Sequence, residues 1–526
     1  MEREHGGGIS REEVTAPFWL PLSYPCATLT DLVIMKRNNN IGGNRTGNKD
    51  GYWRFVCSRA CMADWLTVLL SCIAGYVFIR VCYPYPGTYS DSFSYIAAAE
   101  SDTFSIYRPF GYSAFLQAVH ALSGGWQAVI VAQFMVYAAA TGLFVMALKK
   151  YYPIKRMWVR VLLEVVMTLS PVAVYMLNSL MSDALFCCLI FVMLAMLLVI
   201  INEQSWVAAG VYLAAFFACL FVRYSAMFFP IAFVPVLLFT EKPVLRWTTI
   251  ALTGVLFGVF YANICGNMQK VVHKRQFSTG FDGWQLANNG MHVLPFIEDE
   301  QMPDDRRVRE LHEFSRIRFN EQILQKTDSG RKVTAAFLWQ RDLPLKQYTF
   351  YTMEKTHSSY PVTWARLGGG VFADYGKWLI LHYPTEFWKH YLAPNICSAF
   401  LPRDLEMVGH YGEIPKDQPD MASYYGMDTK LTHPARYEVY EKSMRGVLPA
   451  SELVTWLLFA GAAAVMVIRR KAMLASRRRV LSFVLLLVFG FIFYGTTVFA
   501  APIVIRYWMP MHALKIAFVW MAARKA

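Results

Sequence analysis

Long apolar runs alternate with short polar or basic connections over most of this chain. Ten such runs fall at 63–83, 126–148, 157–177, 183–201, 206–222, 224–240, 247–265, 451–468, 480–500 and 503–523. A helix crossing a bilayer needs about 20 such residues, because each advances about 1.5 Å through a hydrocarbon core roughly 30 Å thick. Lipid offers no hydrogen-bond partners, so these runs are expected as helices, which pair their own backbone groups. The runs 183–201, 206–222 and 224–240 follow one another so closely that the count shifts by one or two with the choice of breaks. Two polar regions interrupt the pattern. One is a loop at 84–125, and the other is a long insertion at 266–450, rich in Tyr, Trp and His. The pattern predicts an all-α polytopic membrane protein of about ten transmembrane helices with a mixed, α-rich external loop domain. Its parts are an N-terminal segment 1–62, a membrane module 63–265 holding the loop 84–125, the loop domain 266–450, and the C-terminal membrane helices 451–526.

Composition removes the soluble alternatives. The chain is 56% hydrophobic and 17% charged, against roughly 45–50% and about 25% for a soluble domain. Aromatics at 15% exclude disorder, and 10 Cys in 526 residues without a Cys-x-x-Cys pair exclude a disulfide scaffold or zinc ribbon. The net charge of +14 would suggest nucleic acid in a soluble protein, but here it sits between apolar runs. With the N-terminus inside, the inner connections carry Lys149, Lys150, Lys155 and Arg156, then Lys242 and Arg246, then Arg469 to Lys471 and Arg477 to Arg479. The inner ends add Lys36, Arg37, Arg54, Arg59, Arg524 and Lys525, whereas loop 84–125 has a single Lys or Arg, Arg108. This bias puts both termini in the cytoplasm and 266–450 outside. The external insertion lacks an Asn-x-Ser/Thr triplet, in keeping with a bacterial cytoplasmic membrane. Residues 1–62 show no secretory signal pattern, and Met35, before Lys36 and Arg37, offers an alternative start.

Charges at membrane depth are costly, so those retained there are candidate functional groups. The outer face collects Asp91, Asp183, Arg223 and Arg506, with Glu100, Asp102 and Arg108 in the first loop. Asp91 and Tyr95 are four apart and share a helix face, unless Ser90 or Asp91 only caps that helix. Arg108 stands in Tyr107-Arg108-Pro109-Phe110-Gly111-Tyr112. Its fork suits a phosphate, or else it snorkels to lipid headgroups. Asp183 opens the run 183–201 and also reads as a cap. Arg160 and Glu164, at i,i+4 near an inner end, read as a structural pair. His382 and His390 are eight apart, and His292, His410 and His433 are scattered. No local metal motif results, although distant loops can still assemble a site. Neither a dinucleotide fingerprint nor a P-loop is present, and no cytoplasmic segment is large enough for a nucleotide-sugar fold. A transferase of this layout therefore draws on a lipid-borne donor at the outer face. Segment 366–382 carries Leu367, Val371, Tyr375 and Trp378 at helical spacing, and either lies in the membrane interface or packs inside the loop domain.

These residues resemble those of C-type membrane glycosyltransferases, the group of protein O-mannosyltransferases and lipid A aminoarabinose transferases. The likeness rests on Asp91 followed by Tyr95 in the first external loop, then Arg108-Pro109 before Gly111-Tyr112. It extends to Asp183 ahead of an apolar run, and to Arg506-Tyr507-x-x-Pro510 near the C-terminus. It covers roughly 63–265 and, loosely, the last run; 266–450 has no counterpart. Many relatives carry an Asp-Glu pair where Asp91 is followed here by Ser92, which leaves Glu100 or Asp102 as substitutes and any divalent metal site open. The resemblance implies a polyprenyl-phosphate sugar donor, inversion at the sugar carbon, and a lipid, glycan or protein acceptor, with no nucleic acid partner. It implies catalytic roles for Asp91 and Asp183, and substrate contacts from Tyr95, Arg108, Tyr112, Arg223, Arg506 and Tyr507. Two other classes fit the layout. One is an envelope polysaccharide polymerase or ligase, which leans on loop Arg and His residues. The other is a lipid or solute transporter, which requires charges lining a path to the midplane.

Overall fold

A computed structural model of the chain describes residues 51–104, 106–297, 301–318, 342–400, 424–426 and 436–524. The alternative start at Met35, most of the segment 1–62, and His410 and His433 lie outside the described residues. The chain divides into two units, Met1–Gly51 and Tyr52–Ala526, and the described helices and the candidate site belong to the second.

The membrane module opens with α1 (Met62–Cys82), followed in the first loop by α2 (Ser90–Ser101) and α3 (Gly111–Leu122). Next come α4 (Trp126–Tyr151), α5 (Met157–Thr168), α6 (Pro171–Leu177), α7 (Ser182–Glu203), α8 (Trp206–Val222), α9 (Phe229–Leu237) and α10 (Pro243–Val272). The C-terminal part holds α16 (Tyr437–Ile468), α17 (Arg477–Ala500) and α18 (Met509–Ala523). Between the two lie α11 (Phe281–Gly290), α12 (Arg306–Arg318), α13 (Pro344–Thr356), α14 (Tyr360–Leu367) and α15 (Ala373–His382). Among the described residues there is no β-strand, and an isolated parallel bridge joins Gly87 to Ser179.

Six of these helices are long and apolar enough to cross a membrane, or seven if the bent pair α5–α6 is one span. The fold is that of an all-α integral membrane protein. Two kinds of apolar helix make the point. α7 is buried on every side, with Ile190, Leu194, Leu197, Leu198 and Ile200 all fully enclosed by α4, α8 and their neighbours. α1 instead exposes Leu66, Leu69, Leu70, Ile73, Val77 and Phe78. In water such a stripe is a large unfavourable patch; against lipid it carries no penalty.

The remaining runs are shorter or broken for local reasons. The run 157–177 bends by 45° between α5 and α6. Ser170, which precedes Pro171, is held out of the helical region (φ −53°, ψ 126°), as a residue before proline prefers. The run 224–240 begins with a tight turn, Tyr224–Phe228, and continues as the nine-residue α9, with Pro230 in its first turn and Pro235 inside it. The run 503–523 is helical only from Met509, because 501–504 is non-helical and Ile505–Trp508 forms one tight turn. Pro502 and Pro510 flank that stretch and cannot supply the N–H groups a continuous helix needs there.

Segment 366–382 packs inside the loop domain. A wide turn over Gly368–Phe372, with Gly370 at φ −141° and ψ −110°, separates α14 from α15. Val371, Tyr375 and Leu379 are buried, and α15 lies along α11. Arg160 bonds Asp64 at 2.5 Å and stands 3.6 Å from Glu164, with Lys149 on the other Asp64 oxygen. The i,i+4 pair is thus part of a larger inner-end network tying α1, α4 and α5 together.

Candidate functional site

The chain first brings two helix starts side by side. Gly87 N–H donates to the Asn178 carbonyl at 2.8 Å, and Leu180 N–H donates to the Gly87 carbonyl at 2.9 Å. Asn178 Nδ2 adds a bond to the Tyr85 carbonyl. Gly87 is required, since a Cβ there would stand 2.5 Å from the Ser179 hydroxyl. This clamp sets the starts of α2 and α7 next to each other, and each carries an aspartate as its second residue, Asp91 and Asp183. A carboxylate at that position gains from the helix dipole. Neither aspartate is the cap, however. Tyr89 N–H is met by Ser92 Oγ at 3.0 Å, and α7 has no side-chain cap. Both carboxylates are turned to other partners.

Those partners are the three outer arginines. Arg108 pairs with Asp91 Oδ1, Arg506 reaches Asp91 Oδ2 at 3.3 Å, and Arg223 pairs with Asp183 Oδ1. Each arginine arrives by a different route. Arg108 is brought in by α3, whose first residue, Gly111, abuts the end of α8; a Cβ would lie 2.5 Å from the Phe221 carbonyl oxygen. Arg223 terminates α8 in extended backbone. Arg506 sits on the tight turn before α18. The five side chains are 3% to 25% exposed, so their attraction is only partly screened.

Aromatic rings line the cluster. Tyr507 lies between two cations, with the Arg223 and Arg506 guanidiniums each 5.4 Å from its ring centre. Arg108 stands over Tyr95 at 5.1 Å, Arg506 over Tyr89 at 5.4 Å, and Arg223 over Phe186 at 5.5 Å. The Tyr95 hydroxyl shares a 2.8 Å hydrogen bond with Ser182, linking α2 to α7. Arg108 Nε also donates to Ser94 at 3.1 Å.

The cluster therefore joins Asp91, Asp183, Tyr95, Arg108, Arg223, Arg506 and Tyr507 in one place. Tyr112 sits beneath it. It is fully buried, edge-on to Tyr95 at 4.9 Å, and its hydroxyl donates to Gln133 Oε1 at 3.0 Å. It supports Tyr95 from below. Glu100 and Asp102 are not brought in. Glu100 is exposed, and Asp102 ends α2 with φ 50° while accepting from Gln117. Ser94, Ser182, Tyr89 and Phe186 were not singled out in the sequence, because neutral residues in an apolar chain raise no cost signal.

Burial by itself would raise the Asp91 pKa, but Arg108, Arg506 and Arg223 outweigh it and hold the carboxyl below its usual range. With three guanidiniums facing two carboxylates, one positive charge is in excess. Among the five charged side chains of this cluster, two buried atoms have no hydrogen-bond partner, a donor at Arg506 Nη1 and an acceptor at Asp183 Oδ2. Such orphans inside a folded chain point to a ligand or water. A divalent ion at Asp91 must displace a guanidinium, since both of its oxygens are paired, and among the described residues no group of three or more His, Cys, Asp or Glu gathers to hold a metal.

A second ionic group lies within the helices themselves. Glu452 on α16 pairs with Lys515 on α18 at 2.5 Å, His512 Nδ1 is 3.7 Å from the same carboxyl, and all three are 1–2% exposed. These charges fall inside predicted apolar runs, so the cost of a buried charge was the signal that marks them. No family profile, curated protein or solved structure matches the chain.

Proposed function

We propose that the chain is a membrane glycosyltransferase that moves a sugar from a polyprenyl-phosphate donor to an acceptor hydroxyl, with inversion, at the outer face of a bacterial cytoplasmic membrane. This reading counts about ten crossings, taking the shorter helices α8, α9 and α18 and the bent pair α5–α6 as spans, with both termini inside. The observation that carries it is the cluster of Arg108, Arg223 and Arg506 around Asp91 and Asp183, at the end of the helices with the fewest basic connections. An excess positive charge in a low-dielectric site suits a phosphate that gains negative charge as it leaves.

In this mechanism the acceptor oxygen attacks the anomeric carbon from the face opposite the phosphate. The new C–O bond forms as the carbon–phosphate oxygen bond breaks, and the bonding pair leaves with the polyprenyl phosphate. The acceptor proton passes to Asp91, the general base, and Asp183 holds a substrate hydroxyl or tunes the charge. Both Asp91 oxygens are engaged by guanidiniums. A donor phosphate competes for the same N–H groups, and its arrival releases a carboxylate oxygen to the acceptor. Tyr95 and Tyr507 fix the arginines and offer rings to the sugar.

The test is to purify the protein in lipid nanodiscs, identify any lipid-linked sugar that co-purifies, and assay transfer from polyprenyl-phosphate sugars. Loss of transfer in a folded Asp91→Asn protein supports the reading. Full activity in that variant overturns it and favours a polymerase or ligase that relies on loop Arg and His. The transporter reading is favoured by one observation, the Glu452–Lys515–His512 group inside the helices. Substrate flux into proteoliposomes that stops on Glu452→Gln, with no transfer chemistry, would establish it instead.

A further inference from the structure

At the opposite end of α18 from Arg506, three arginines from three helix ends face one cleft. Arg469 follows the end of α16, Arg479 lies in the first turn of α17, and Arg524 follows the end of α18. The α18 helix has 15 residues, so about 22 Å of helix separates this cleft from the candidate site. The cleft walls are apolar and include Tyr152, Met466 and Met521.

Each of these helix ends is braced by backbone contacts. Arg469 Nη1 donates to the carbonyls of Ala522 and Arg524 at 3.4 and 3.2 Å, and Arg479 Nη1 donates to the Ala472 carbonyl at 3.1 Å. Trp520 Nε1 donates to the Tyr152 carbonyl at 2.9 Å and ties the cleft residue Tyr152 to α18. Carbonyls align guanidiniums but do not neutralise them. Among the described residues, none of the three arginines makes an ion pair, whereas the adjacent Arg478 is paired with Glu241 at 2.8 Å. Burial and the nearby Arg479 both weaken the hold of Arg524 on its proton, as expected where like charges gather without an anion.

We propose that this cleft binds the headgroup of an anionic glycerophospholipid, with the phosphate on Arg469, Arg479 and Arg524 and the acyl chains continuing along Met466 and Met521. Guanidinium forks match phosphate oxygens in pairs, and the apolar wall continues toward lipid. Basic pockets between membrane helices on the cytoplasmic side are where anionic headgroups collect. A soluble phosphate satisfies the arginines but leaves the apolar wall exposed. The site is independent of the transferase reading, because none of its residues belongs to the Asp91 cluster.

The experiment uses native mass spectrometry and thermal melting of the full chain in nanodiscs of phosphatidylcholine with or without phosphatidylglycerol. The expected result is a retained phosphatidylglycerol adduct and a raised Tm that neither phosphatidylcholine nor inorganic phosphate reproduces. The variant Arg479→Gln/Arg524→Gln should hold the lipid on the order of tenfold less tightly, the equivalent of one bidentate contact. Arg524→Gln alone sits past the last helix turn, so it tests the site even if the double variant does not fold. It should weaken retention while leaving Tm in pure phosphatidylcholine unchanged. Equal retention by wild type and Arg524→Gln overturns the proposal, as does stabilisation by inorganic phosphate alone.

Discussion

Asp91 and Asp183 occupy the same position in their helices and each faces a guanidinium, but their surroundings separate them. Asp91 has both oxygens in ion pairs, whereas Asp183 has one oxygen without a partner. Asp91→Asn keeps the shape but cannot accept a proton, so turnover should fall by roughly 10²-fold or more. It also removes a negative charge from between two arginines. Donor affinity should therefore hold or rise while kcat falls, a split seen by measuring donor binding beside transfer. Asp183→Asn should reduce kcat less. Arg506→Gln should act in the opposite sense, raising the donor KM. The pH behaviour follows from the depressed Asp91 pKa. A carboxyl whose folded pKa lies below its unfolded value, about 4, adds stability above that value and loses it as pH falls through the lower one. Between pH 5 and 8 the kcat/KM profile should therefore show no Asp91 limb. His292, in the loop domain, has its pKa lowered to about 4 by burial, against the opposing bonds to the Asn288 and Asn289 carbonyls. Being neutral when folded, it contributes stability above about pH 6.5, and this is lost as pH falls from there toward 4. A Tm that declines over that window, and declines less in His292→Asn, is the expected record.

Two element contacts decide whether the arginines point inward. The stretch that breaks α17 from α18 frees backbone groups, and Asn395 satisfies them. Its Nδ2 donates to the carbonyls of Val498 and Ala501 at 2.7 and 2.8 Å, and its Oδ1 accepts from Ile503 N–H at 2.8 Å. Asn289 adds bonds to Phe499 and Ala500. The loop domain thereby holds the segment that presents Arg506. Asn395→Ala leaves a buried N–H and two carbonyls unmet, at about 1–3 kcal/mol for each group left without water. Transfer should drop as the donor KM rises, and Tm should fall in parallel. The second contact is the Glu452–Lys515 pair between α16 and α18. Lys515→Met strands a buried carboxylate and should cost roughly 3–5 kcal/mol, while Glu452→Gln/Lys515→Met should recover much of that. Melting both variants in detergent checks it. A double variant no more stable than the single would mean that the pair is not coupled.

At the scale of the molecule, basic residues should mark one side of the membrane. A cysteine introduced at the exposed Arg307, in a chain lacking Cys57 and Cys397, should label from outside intact cells, and one at Arg470 should not. The reverse would remove both the topology and the outer-face site. Much of this organisation was legible in the sequence because lipid imposes it. Apolar length specifies helices such as α1, α4 and α7, and the cost of charge singles out Asp91, Arg108, Asp183, Arg223 and Arg506. The same rule applies to Glu452 and Lys515, but neither was singled out in the sequence and only the structure pairs them. Apolar length overstates continuity where proline intervenes, as at Pro171, Pro502 and Pro510, because hydropathy carries no information about missing N–H groups. Sequence by itself determined the membrane class, the long apolar helices and the costly charges of the first loop and outer helix ends, since each follows from local chemistry against a uniform solvent. Only the tertiary structure decided which charge meets which. Asp91 lies 415 positions from Arg506, and their meeting depends on the Gly87 clamp, the Gly111 approach and the Asn395 brace, contacts that no local pattern encodes.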